Sequence, residues 1–180
     1  MVPPGAWLTP RAVAESAGPW DDSVRSPDDD GEYFARVVLA SRGIRASRMC
    51  RHYYRKFVKG GSYSSTYSEA LLWGRFHSLN CKATHLLART NDPRAYRALA
   101  NRYVDLAFGA YPSFPKLTDE ALRKAREMGG TGYVPRFGWK GNLLSRMLGW
   151  KMTKRLNFHF HKTATIFRER ISSCRSVLCA

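Results

Sequence analysis

The chain has 180 residues, of which 44% are apolar and 13% aromatic, so it can bury a core and is not disordered as a whole. Thirty lysines and arginines against 14 acidic residues give a net charge of +16, which indicates an acidic partner such as nucleic acid, an anionic membrane or an acidic protein. The first residues lack a secretory signal, no uncharged apolar run reaches the about 20 residues that span a bilayer, and the four cysteines fit no zinc spacing.

Residues 1–32 form an acidic, proline-rich extension with a net charge of −5, whereas the remainder of the chain carries +21. Thr9 and Pro10 predict one short helix, as a cap followed by proline at the first helical position. Trp7 and Trp20 can anchor this extension either onto a partner or onto its own domain, and the sequence leaves both alternatives open.

A first helical region is predicted within residues 32–59, with Gly43 as its weak point. From residue 46 to residue 59, apolar residues recur at helical spacing, and Gly60 and Gly61 end the pattern. On a helix, four basic residues of this segment would form one stripe: Arg48, Arg51, Arg55 and Lys59. Because no acidic residues are interleaved at i+4, the stripe suits a row of carboxylates or phosphates on a partner. The alternative is an ordinary amphipathic helix with solvated charges.

Two further amphipathic helices follow. A capping box at Thr66 and Glu69 predicts the start of the second, and Gly74 within it indicates close helix packing. Asp92 and Pro93 predict the start of the third. With short connections, three such helices predict an all-α fold, an antiparallel three-helix bundle over residues 33–110.

Residues 111–180 change character, starting with a proline-rich segment that cannot continue a helix. A short helix is predicted from Thr118 to about Met128, and the tail is predicted to be partly helical over residues 143–156 and 163–177. From Arg136 onward the tail holds ten basic residues against Glu169 alone. Its apolar residues beside lysines and arginines also suit contact with anionic lipid.

No arrangement typical of catalysis or metal binding stands out in the sequence. His159 and His161 lack a third ligand, and the chain has no P-loop, no GxSxG and no Rossmann glycine pattern. We therefore expect a non-catalytic protein without a metal or cofactor of its own.

The tripeptide Tyr53-Tyr54-Arg55, followed by Arg75-Phe76 and the exit Tyr111-Pro112-Ser113-Phe114-Pro115, resembles the LYR-motif proteins of mitochondria. The resemblance covers about residues 46–116 and is strongest to the members found in the beta subcomplex of respiratory complex I. Tyr53 stands where the family has leucine. The resemblance implies a scaffold that binds the acidic mitochondrial acyl carrier protein, whose acyl-4'-phosphopantetheine chain can enter the bundle. Small residues such as Gly74, Ala83 and Ala100 would leave room for that chain.

Two functions follow as expectations. The first is an accessory or assembly subunit of complex I, on the matrix side of the inner membrane, that docks the acyl carrier protein and contacts other subunits. The residues expected at the carrier are Arg48, Arg51, Tyr54, Arg55, Lys59, Arg75 and Phe76. The alternative is a mitoribosomal protein that binds rRNA through its basic surface.

Overall fold

The computed structural model describes the backbone of residues 3–53 and 67–178 and the side chains as far as residue 160. Within these ranges the chain is all-helical, and it contains no strand. The short 3₁₀ turn Pro4–Ala6 precedes six α-helices: α1 Arg11–Ala17, α2 Asp29–Ala40, α3 Glu69–Leu87, α4 Pro93–Ala110, α5 Pro115–Glu127 and α6 Trp139–Leu178.

The core lies where α3, α4 and α5 pack against one another. Its buried side chains belong to the apolar stripes of these helices, and they are Leu72, Phe76, Leu79, Ala83, Leu99, Tyr103, Val104, Ala107, Ala110, Leu117, Ala121 and Ala125. Tyr103 is 1% exposed, and its hydroxyl donates a hydrogen bond to Asn80 Oδ1 at 2.7 Å. The helical stripes predicted for α3 and α4 therefore face the core, and α5 adds a third layer to them.

Capping residues set the starts of α3 and α4. The Asp92 side chain accepts a hydrogen bond from the Arg94 amide, with Pro93 at the first helical position, so the predicted start of α4 is confirmed. The start of α3 is shifted from the prediction, because Ser68 is the cap and its hydroxyl accepts from the Leu71 amide. At Gly74 a β-carbon would stand 2.3 Å from the carbonyl oxygen of Arg25, so this glycine does permit a close approach, but to the non-helical segment before α2 and not to another helix as predicted.

The N-terminal extension packs on its own domain. Trp7 stacks on Phe34 with ring centroids 5.0 Å apart, and Trp20 stacks on Tyr33 at 4.8 Å. Of the two alternatives open for these tryptophans, a partner or the chain's own domain, both pack on the chain's own domain. Arg36 of α2 also holds the extension, because its guanidinium donates hydrogen bonds to the carbonyl oxygens of Ala17 and Pro19.

Two carboxylates of the extension form polar contacts with α3. Glu32 is 1% exposed, and it receives two hydrogen bonds from Arg36 and lies 3.1 Å from His85 Nε2. Asp28 pairs with Lys82, and its carbonyl oxygen accepts from the Ser78 hydroxyl at 2.9 Å. Since buried charges are tolerated only when paired, these contacts fix α2 against α3.

The helix predicted from residue 46 is wrong over residues 46–53, which are non-helical and exposed. Met49 is 96% exposed and Tyr53 is 83% exposed, so the described part of the chain leaves the apolar side of this segment largely uncovered. Most helix stability comes from packing an apolar face, and neighbouring like charges oppose helix formation. No acidic residue occurs between Glu32 and Glu69 to offset the arginines here.

α6 consists of two helical segments that meet at Gly149, where the backbone adopts φ +75°. The sequence predicts helical pieces over 143–156 and 163–177, whereas the break falls at Gly149 and helix continues across residues 157–162. Just after the break, Trp150 contacts Phe108 and Tyr111 with ring centroids 5.8 Å apart in both pairs. This contact joins α6 to the end of α4.

Candidate functional site

An open groove of about 590 Å³ lies between α3, α4 and the turn at residues 27–28. One face of each helix lines it, and the lining residues are Pro27, Asp28, Leu72, Arg75, Leu79, Lys82, Leu86, Ala98, Leu99, Arg102, Asp105, Leu106 and Gly109. We call this the α3/α4 groove. Its volume falls within the about 300–1,000 Å³ of small-molecule sites, and its mostly apolar lining suits an apolar ligand.

The floor of the α3/α4 groove belongs to the hydrophobic core. Leu72, Leu79 and Leu99 are at most 8% exposed and touch both the groove and the helices behind it. An occupant would therefore rest on side chains that the fold holds in place, which lowers the entropic cost of binding.

Charged residues stand at the edges of the α3/α4 groove. Arg75 and Lys82 come from α3 and Arg102 from α4. Lys82 pairs with Asp28, and Arg102 lies 3.6 Å from Asp105. The groove therefore has polar edges of both signs around an apolar floor, with one more cation than anion among its lining residues.

Asp105 is held in position from a second side. The Tyr133 hydroxyl donates a hydrogen bond to Asp105 Oδ1 at 2.6 Å, and this bond raises the pKa of Tyr133 above its usual value. The segment that follows α5 is tied to α4 by this bond, and a 2.5 Å contact between Thr131 and Asn101 adds to it.

The predicted partner-binding residues occupy different places. Arg48 and Arg51 lie in the exposed segment before residue 54, and they do not form a helical stripe. Tyr54, Arg55 and Lys59 lie outside the described residues.

The other two predicted residues are on α3. Arg75 lines the α3/α4 groove. Phe76 is 7% exposed, with its ring 6.0 Å from that of Tyr103. Phe76 is therefore a core residue. It could influence partner binding only indirectly, by holding α3 in position against α4.

The small residues expected to leave room for an acyl chain are enclosed by the protein instead. Gly74 abuts the backbone at Arg25, Ala83 is 5% exposed, and Ala100 is fully buried. None of the three lines the α3/α4 groove. These small residues therefore permit close approach of other parts of the chain, and the groove is lined by other residues of α3 and α4.

Sequence reasoning missed Lys82, Ala98, Arg102 and Leu106 as groove residues. A signal was present: Ala98, Arg102 and Leu106 recur every four residues, beside the core stripe of α4. Periodicity alone does not indicate that this second face of α4 lines a groove, since a partly apolar face is common on exposed helices.

Across the described ranges, no group of three or more His, Cys, Asp and Glu side chains is placed to hold a metal ion. None of the helices in those ranges is both long and apolar enough to cross a bilayer. Comparisons of the chain with protein-family models, curated proteins and solved structures find no match.

Proposed function

We propose that this chain is a non-catalytic accessory subunit of mitochondrial respiratory complex I, on the matrix side of the inner membrane, that docks an acyl carrier protein. The proposal extends the resemblance to LYR-motif proteins, and within that family to beta-subcomplex subunit 9 of NADH:ubiquinone oxidoreductase. The second and third helices of that family's three-helix bundle would correspond here to α3 and α4, whereas α2 ends before the tripeptide Tyr53-Tyr54-Arg55 that the family carries on its first helix. The observation that carries the proposal is the apolar α3/α4 groove.

The α3/α4 groove suits the acyl chain of such a carrier. Burial of apolar surface contributes about 25 cal/mol per Å², and the floor offers leucine side chains from both helices. Arg75 and Arg102, at the edges, are suitable donors for the phosphate of the 4'-phosphopantetheine arm. The chain itself would supply no cofactor, and the acyl-phosphopantetheine would come from the partner.

The carboxylates of the carrier protein need cations beyond the groove. Four exposed arginines lie in one non-helical segment: Arg42, Arg45, Arg48 and Arg51. No acidic residue lies among them in the sequence, so no neighbouring carboxylate neutralises their charges. Such charges chiefly raise the association rate and set partner choice.

The test compares binding of apo and acylated carrier protein to the full chain by calorimetry. We expect the acylated form to bind at least tenfold tighter, about 1.4 kcal/mol. Ala98 is exposed and lines the groove, so Ala98→Trp should fill the groove and remove the acyl advantage without disturbing the core. Ala88→Trp, at an exposed position outside the lining, is the matched control.

The double variant Arg48→Glu, Arg51→Glu should weaken binding of the apo and acylated carrier equally, because these arginines would contact carboxylates of the carrier protein and not its acyl chain. Equal affinity for apo and acylated carrier, unchanged by Ala98→Trp, would rule out the groove as the acyl site. No binding of either form would reject the carrier as partner.

The alternative is a mitoribosomal protein that contacts rRNA. The exposed arginines of residues 42–51 favour it, since arginine serves phosphate recognition as well as carboxylate recognition. Sedimentation of the tagged protein from mitochondrial extract separates the two functions: co-migration with ribosomal subunits supports RNA binding, and co-migration with complex I supports the first proposal.

A further inference from the structure

The first segment of α6 carries an apolar stripe that the described part of the chain leaves largely exposed. Trp139, Leu143 and Met147 follow one another at intervals of four residues, and they are 77%, 61% and 77% exposed. Helical spacing of four places them on one face. We call these three residues the α6 stripe.

Exposed apolar side chains continue beyond the Gly149 break. Leu148 directly precedes the break and is 50% exposed; after the break, Met152 is 50% exposed, Phe158 is 42% exposed and Phe160 is 71% exposed. Single exposed apolar residues are normal on protein surfaces, but a contiguous set of large ones marks an interaction site. The segment of α6 after the break is anchored to the rest of the chain, because Thr153 is fully buried and Trp150 contacts Phe108.

All charges along this part of α6 have the same sign. Between Glu127 and Glu169 the sequence contains no acidic residue. Lys140 and Arg146 flank the α6 stripe, and Lys140 Nζ lies 5.3 Å from the centre of the Trp139 ring. Large apolar side chains bordered by cations are typical of helices that lie in the interface of an anionic bilayer.

A bilayer suits this surface better than nucleic acid does. RNA would satisfy the lysines and arginines, but leucine and methionine side chains offer no stacking face for bases. At a bilayer, Leu143 and Met147 enter the acyl boundary, the Trp139 indole lies at headgroup level, and the flanking cations extend to lipid phosphates. We propose that the first segment of α6, before Gly149, lies flat on an anionic lipid bilayer and docks the protein there through the α6 stripe and the cations beside it.

The test is flotation of the full chain with vesicles of phosphatidylcholine alone or with one-third phosphatidylglycerol. We expect binding at least about tenfold stronger to the anionic vesicles. The double variant Leu143→Asp with Met147→Asp should lose at least about tenfold of that binding. Leu8→Asp, at a position that is 99% exposed, is the matched control and should bind as wild type does.

Charge reversal separates lipid contact from general attraction. Arg146→Glu should weaken binding. The same change at Arg89, an exposed arginine outside α6, should not. Brominated lipids should quench part of the tryptophan fluorescence, and Trp139→Phe should remove most of that quenching. Circular dichroism of each variant verifies that it is folded.

Three results would overturn the proposal: equal binding to neutral and anionic vesicles, wild-type binding by the Leu143→Asp, Met147→Asp variant, or an unchanged quenching signal in Trp139→Phe. Displacement from anionic vesicles by RNA, together with wild-type binding by the double variant, would assign this surface to nucleic acid.

Discussion

Glu32 is the most buried carboxylate among the described residues, at 1% exposure. Arg36 donates to both of its oxygens at 2.9 and 3.0 Å, and the Arg36 side chain is itself mostly buried. His85 contributes a third contact at 3.1 Å. The Glu32 carboxylate thus joins α2 to α3, and Arg36 in turn binds the carbonyl oxygens of Ala17 and Pro19 in the extension.

Glu32→Gln should lower the free energy of unfolding by about 3 kcal/mol, because it leaves the Arg36 charge buried without its counter-ion. Urea denaturation measures this loss. The control is Glu15→Gln, since the Glu15 pair with Arg11 is exposed and should cost about 1 kcal/mol or less. A similar small loss in both variants would show that the Glu32 contacts do not hold the extension in place.

At the scale of elements, α6 depends on its contact with α4. Lys154 Nζ lies 4.1 Å from the centre of the Phe108 ring, and no carboxylate of the described chain pairs with it. Burial lowers the pKa of Lys154 to about 8. The folded state therefore favours the neutral amine, whereas the unfolded state keeps the ordinary lysine pKa.

The sign of the pH dependence follows from proton binding. From pH 8 up to the unfolded-state pKa near 10.5, the unfolded chain binds more protons at this site, so the contribution of Lys154 to stability rises with pH. Lys154→Met should thus stabilise the fold at pH 7, with an advantage that shrinks by pH 10. Urea denaturation at both pH values checks this, with the exposed Lys151→Met as control. An advantage that grows with pH would contradict the assignment.

At the scale of the whole molecule, the net charge of +16 exerts self-repulsion on the compact state. Sodium chloride should therefore raise the melting temperature, with most of the rise complete by about 0.15 M, where the screening length has fallen to about 8 Å. Thermal denaturation in a salt series measures this effect. Choline chloride should reproduce it, because screening does not depend on the cation; a fall in melting temperature would mean that attractive pairs dominate.

Much of the helical core follows from local signals. Asp92 with Pro93 predicts the start of α4, and the periodic apolar residues of α3 and α4 face the core as their spacing predicts. Local propensity and capping act within one or two turns, so the sequence is sufficient to specify them.

Contacts between distant residues are not encoded in periodicity. The segment at residues 46–53 has the spacing of an amphipathic helix, yet it is not helical, because its apolar side stays exposed against the described part of the chain and no acidic residue in the sequence around it offsets its charge. The α3/α4 groove is likewise a tertiary feature. Of the predicted site residues that the structure describes, Arg75 alone lies in its lining, and the other lining residues acquire their role only when two helices and the turn at Pro27 meet.

The helical class, the start of α4, the apolar faces of α3 and α4 and the cationic character of the surface could be predicted from the sequence alone, since these depend on residue type and short-range spacing. The tertiary structure decided where the N-terminal tryptophans pack, which small residues are enclosed, and which helix faces stay open. These outcomes depend on which surfaces approach one another in the folded chain. Close packing encloses the small residues of α3 and α4, whereas the α3/α4 groove and the α6 stripe stay exposed.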